Sequence, residues 1–151
     1  MRRQGIGFVI GVAAMIGASL PVLADTTPED AKDYRSAIMT SMRGHIGAAS
    51  MIVRGLVENN GQLLGHAEGL ANSASELHNI FPEGSAVAES EALPAIWEKP
   101  DEFSAAIEKL VDATAAFEEA AAASDQAAIG AAFREVGMSC RGCHDNFRQS
   151  D

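Results

Sequence analysis

The 151-residue chain predicts an all-α fold, an antiparallel four-helix bundle. Three observations carry this reading. Apolar residues recur at steps of three and four in four separate stretches, and no stretch alternates apolar with polar residues as a half-buried strand would. Ala is abundant while aromatics make up only 5% of the chain, a mix that suits close-packed helices better than a sandwich of β-branched and aromatic strands. Two of the three connections are short, so consecutive helices should run antiparallel. With 47% hydrophobic and 21% charged residues, the chain can build one packed core, and its length suits one domain.

Residues 1–24 stand outside that fold. Arg2 and Arg3 form a short basic start, and Gly5 to Leu23 carries no charge. Val22-Leu23-Ala24 follows with residues a signal peptidase accepts, which completes the tripartite pattern of a secretory signal. An uncleaved membrane anchor is the competing reading, since the apolar run is just long enough to span. Its Gly and Ala content, Pro21 and the cleavage site favour removal. Residues 1–24 are therefore expected to be a signal peptide and 25–151 the bundle domain, exported to an oxidising compartment, the bacterial periplasm, with no membrane attachment after cleavage.

The first helix opens at Thr27-Pro28, with Thr as N-cap, Pro at the first helical position and Glu29, Asp30 and Asp33 at the positive end of the helix dipole. Its stripe is Ile38, Met42, Ile46, Ala49, Val53 and Leu56, and Glu58-Asn59-Asn60-Gly61 stops it. The second helix runs from about Gln62 to Ile80 and breaks at Phe81-Pro82-Glu83-Gly84-Ser85. Residues 82–99 form the long connection, held to the bundle by Leu93, Ile96 and Trp97. The third helix opens at Pro100-Asp101-Glu102 and carries Phe103, Ile107, Leu110 and Phe117 to about Ser124. The fourth starts at Ser124-Asp125 and runs to about Gln149, with Ile129, Phe133, Val136, Cys140, Cys143 and Phe147 on one side.

A net charge of −10 argues against nucleic acid as a partner, because phosphate binding needs clustered Lys and Arg. The chemistry concentrates in Cys140-Arg141-Gly142-Cys143-His144. C-x-x-C-H is the attachment signature of c-type haem. Two thiols three residues apart lie on neighbouring sides of one helical turn, so each can add to one vinyl group. The next residue, His144, then lies under the iron as proximal ligand. One motif implies one haem c, covalently bound near the C-terminal helix. A thioredoxin-like dithiol would want a βαβ context. A zinc site would want four ligands, and His45, His66 and His78 make no pair at finger-like spacing. A plain disulfide would leave His144 unexplained.

The motif sits on the last helix, with the whole bundle before it. That placement resembles the class II cytochromes c, cytochrome c prime and its low-spin relatives of the cytochrome c-556 type. The segments Tyr34–Met42, Leu77–Pro82, Leu93–Trp97 with Phe103, and Val136–Arg148 are similar to the family's first helix, second-helix end, third-helix entry and haem end. The resemblance implies that the first helix faces the distal side of the haem, at Met39. High-spin members put a large non-ligating side chain there. A methionine thioether can instead bind the iron, so Met39 is the expected distal ligand, although a core Met would look the same in sequence. The resemblance also sets Arg35 beside the haem propionates; Arg148, four residues after His144, is expected near it on the proximal side. Met42 and Met51 are expected as ordinary helix residues, and His45 as a flanking residue at most.

Electron transfer to an unidentified redox partner protein is the function this pattern implies, with His144 and Met39 filling both axial sites. A five-coordinate, high-spin protein that binds nitric oxide or carbon monoxide is the alternative. No distal acid–base pair is recognisable, so no enzyme activity is expected. Members of the family are often homodimers through the first two helices, and Gly44, Gly47, Ala48 and Ser50 would permit close packing.

Overall fold

The computed structural model describes residues 26–149, and the expected signal peptide, 1–24, lies outside the described residues. Four long helices make the bundle: α1 (Pro28–Val53), α2 (Gln62–Glu76), α4 (Pro100–Ala122) and α5 (Gln126–Phe147). A 3₁₀ turn, Leu77–Asn79, continues α2, and the one-turn α3 (Ala95–Glu98) interrupts the long connection. The four-helix bundle expected from periodicity is thus the observed fold. The nearest approach to strand among the described residues is an isolated antiparallel bridge between Ala92 and Arg148. No described helix is long and apolar enough to cross a membrane.

The helices begin and end where local chemistry satisfies their backbone. Thr27 Oγ1 accepts from the Asp30 amide at the start of α1, and Asp125 Oδ1 accepts from the Ala127 and Ala128 amides at the start of α5. These side chains satisfy first-turn N–H groups that have no partner within the helix.

The first helix is shorter than its apolar spacing suggests. It stops at Val53, because Gly55 takes a left-handed φ of +71°. The Gly55 amide bonds to Ile52 O and the Leu56 amide to Met51 O, the paired bonds of a Schellman stop. Leu56 therefore falls outside the core stripe and is 61% exposed.

The α4–α5 turn closes in the same way on a residue less suited to it. Ser124 holds a φ of +55°, with its amide on Ala121 O and the Asp125 amide on Ala120 O.

The core runs the length of the bundle. Leu63, Ala67 and Leu70 of α2 pack with Ile107, Leu110 and Phe117 of α4 and with Ile129 and Val136 of α5, all buried. Helix α5 lies chiefly along α4, α4 along α2, and α2 along α1, while α1 and α5 meet only sparsely. Phe81, Phe103 and Phe147 form an edge-to-face series with centroids 4.9 and 5.1 Å apart. The series joins the end of the second hairpin arm to the last turn of α5.

Candidate haem site

All five motif residues lie within α5. Cys140 and Cys143 are free thiols, half-buried and packed against the core. Arg141 is exposed and pairs with Asp145 one turn on, and Gly142 is exposed with open space where a Cβ would stand. Helical spacing thus turns the two sulfurs and His144 inward and the two intervening residues outward.

Burial pushes the Cys140 thiol above its usual value and, with Cys140 beside it, pushes Cys143 up to about 11. Both are neutral thiols at pH 7, whereas dithiol redox chemistry wants an accessible, low-pKa thiolate.

His144 is half-buried in the last turn of α5. Burial lowers its pKa, the Arg148 charge lowers it further, and Asp145 and Glu91 oppose them. The imidazole is thereby held in the neutral form that an iron ligand requires. Its carbonyl accepts from the Arg148 amide, so Arg148 does lie beside it, as the sequence implied. Two further bonds moor this end of the helix: the Leu93 amide donates to Phe147 O at 3.0 Å and the Gln149 amide to Glu91 O at 2.7 Å.

On α1, Met39 is half-buried at the border of the apolar stripe, while Met42 is buried within it and Met51 is 48% exposed. Arg35 is almost wholly buried, at 4% exposure. Its Nη1 donates to Ser85 Oγ at 2.8 Å and Ile80 O at 3.3 Å, and its Nη2 donates to Ser85 O at 2.8 Å. The guanidinium also stacks 5.1 Å from the Phe81 ring centroid. Burial lowers its pKa, yet an arginine stays charged. Arg35 therefore clamps the 80–85 turn to α1, a task its sequence position did not reveal. Ser85 is the missed partner, and Ser in a Pro-Glu-Gly-Ser turn reads as turn chemistry alone.

Two free thiols one turn apart, a neutral histidine next to the second, and a helical bundle around them define a c-type haem protein, and this donor set fits a covalently held haem. The family model for cytochrome c' matches residues 30–148. Cytochrome c' of Pararhodospirillum photometricum is 39% identical over 82% of this chain and 99% of its own. Cytochrome c-554 of Cereibacter sphaeroides is also 39% identical, over 78% of this chain and 91% of the relative. Among solved structures, a nitric oxide complex of a variant cytochrome c prime from Alcaligenes xylosoxidans superposes with a TM-score of 0.76 at 31% identity, covering 82% of this chain and 97% of that one. The chain belongs to the cytochrome c' family, whose members bind one covalently attached haem c.

Proposed function

We propose that this protein binds a small diatomic gas, nitric oxide or carbon monoxide, at the iron of its haem. The supporting observation is that a solved relative of the same fold, at 31% identity, is a nitric oxide complex. When bound, the haem supplies an iron centre able to take such a ligand. The residues of this chain supply the rest. Cys140 and Cys143 would each form one thioether to a vinyl group, and His144 would hold the iron from the proximal side as a neutral imidazole. Ile38 and Met39, uncharged and at the core border of α1, would guard the distal side. A haem carboxylate would be met by the N–H groups of Arg35 that the 80–85 turn does not use. The reading is one of binding without catalytic turnover.

One observation favours a second reading. The residue that the family resemblance sets on the distal side, Met39, is a methionine, whose thioether would complete six-coordination and confine the protein to electron transfer. Carbon monoxide titration of the ferrous protein separates the two. Rapid, tight binding, unchanged by Met39→Leu, is expected for gas binding. A low-spin spectrum that turns high-spin only in Met39→Leu would establish the thioether ligand and overturn it. The swap nearly conserves volume and costs less than about 1.5 kcal/mol, so the bundle should survive it.

The basic start and uncharged apolar run of residues 1–24, with the bacterial relatives, support a periplasmic location. A homodimer through α1 and α2 is supported by the exposed Gly44 and Gly47, where a Cβ would meet nothing within 4 Å.

A further inference from the structure

Away from the haem motif, α1 and α2 bring two histidines together. His45 Nδ1 and His66 Nδ1 stand 3.2 Å apart, in half-buried positions 21 residues apart in sequence. The rings meet edge to face, with centroids 5.5 Å apart and planes at 61°. The contact is shaped by a glycine. A Cβ at Gly69 of α2 would lie 2.5 Å from both Cε1 and Nε2 of His45, so only a residue without a side chain lets this ring lie flat against α2 and aim Nδ1 at His66.

We propose that His45 and His66 form a second metal site, separate from the haem, that takes a late first-row divalent ion, Cu(II) most tightly. Imidazole nitrogens suit copper, nickel and zinc, and copper heads the affinity order of the divalent ions. A Zn(II) ion bonded to both Nδ1 atoms at about 2.0–2.1 Å, at a tetrahedral angle, would hold them roughly 3.3 Å apart, and a tetragonal Cu(II) ion with the two nitrogens cis would hold them about 2.8–2.9 Å apart. The observed 3.2 Å lies between the two, so either ion needs only a shift of a few tenths of an ångström. Turning both lone pairs onto one ion closes the ring centroids only to about 5.2 Å. Without metal, one Nδ1–H donates to the other Nδ1. On binding, that ring moves its proton to Nε2 through solvent, so no net proton is released. Among the described residues no third His, Cys, Asp or Glu joins the pair. Water completes the coordination, and the ion is exchangeable.

The test uses the haem-loaded protein. Calorimetric titration with Zn(II) alone should show one ion per chain, and electron paramagnetic resonance with Cu(II) alone should show two imidazole nitrogens. His45→Gln and His66→Gln should each weaken binding by more than the roughly 10–100-fold that outer-shell changes cost. Gly69→Ala, which displaces the His45 ring but keeps both ligands, should weaken it by about that 10–100-fold. His78→Gln should leave it unchanged, since His78 instead pairs with Glu108 on α4 at 2.9 Å. The haem spectrum should not move in any variant, which separates this site from the proximal His144. Absence of binding at 100 µM metal, binding indifferent to both His45 and His66, or binding lost in His78→Gln would each overturn the proposal.

Discussion

Ser85→Ala should destabilise the protein while leaving the bundle folded. The Ser85 hydroxyl accepts from the buried Arg35 guanidinium at 2.8 Å and donates to Pro82 O at 2.7 Å. A hydrogen bond to a charged group contributes about 1.5–3 kcal/mol and a neutral one about 0.5–1.5 kcal/mol. Neither partner is orphaned by the change. Arg35 keeps Ser85 O and Ile80 O, and Pro82 O keeps the Trp97 indole N–H at 3.1 Å. The lower half of the summed range therefore applies, about 2–3 kcal/mol. For a domain of this size that is roughly 7–10 °C in the thermal midpoint. The assay is thermal and urea unfolding followed by circular dichroism, with the haem absorption band recorded on the same samples. A midpoint drop under about 2 °C would refute the view that Ser85 and Arg35 form a structural clamp.

Two further outcomes follow from the turns and the surface. Ser124→Gly should raise stability by about 1 kcal/mol, because Ser124 holds a left-handed φ of +55° that costs an L-residue about 1–2 kcal/mol; a loss of stability in denaturant titration would contradict this. Tyr34, the single tyrosine of the chain, donates to Glu76 on α2, and that hydrogen bond and the carboxylate charge raise its pKa. A raised folded value means that its contribution is present below the unfolded pKa near 10 and is lost as pH rises through the folded value. Ultraviolet difference titration should therefore place phenolate formation above pH 10, and Glu76→Gln should bring it back down.

The bundle was legible in the sequence because apolar spacing of three and four reports directly on which face is buried. Where the chain turns was harder to read. The apolar spacing runs on through Leu56, but Gly55 sits at the C′ position and ends α1 there, so backbone conformation overrode side-chain period. The haem motif was legible because its chemistry needs three residue types at fixed local spacing. The Arg35–Ser85 clamp and the His45–His66 pair were not. Each joins residues far apart in sequence through a geometry that no local pattern encodes. Gly69 shows this most plainly, since a glycine inside a helix reads only as a weak helix former until the ring it accommodates is known.

The last turn of α5 carries the end of the haem motif and accepts the Leu93 amide at Phe147 O, and just beyond it the Gln149 amide donates to Glu91 O. Helix ends ordinarily fray, opening at little cost while the middle of the helix stays closed. A ligand histidine in such a turn would share that local opening, and its distance from the iron would fluctuate with it. Clasped to the 91–93 segment, the turn can open only if the long connection lets go as well. Its amides should then exchange with solvent at the pace of the core, and the bond His144 would make to a haem iron would be buffered against the motion of the helix end that carries it.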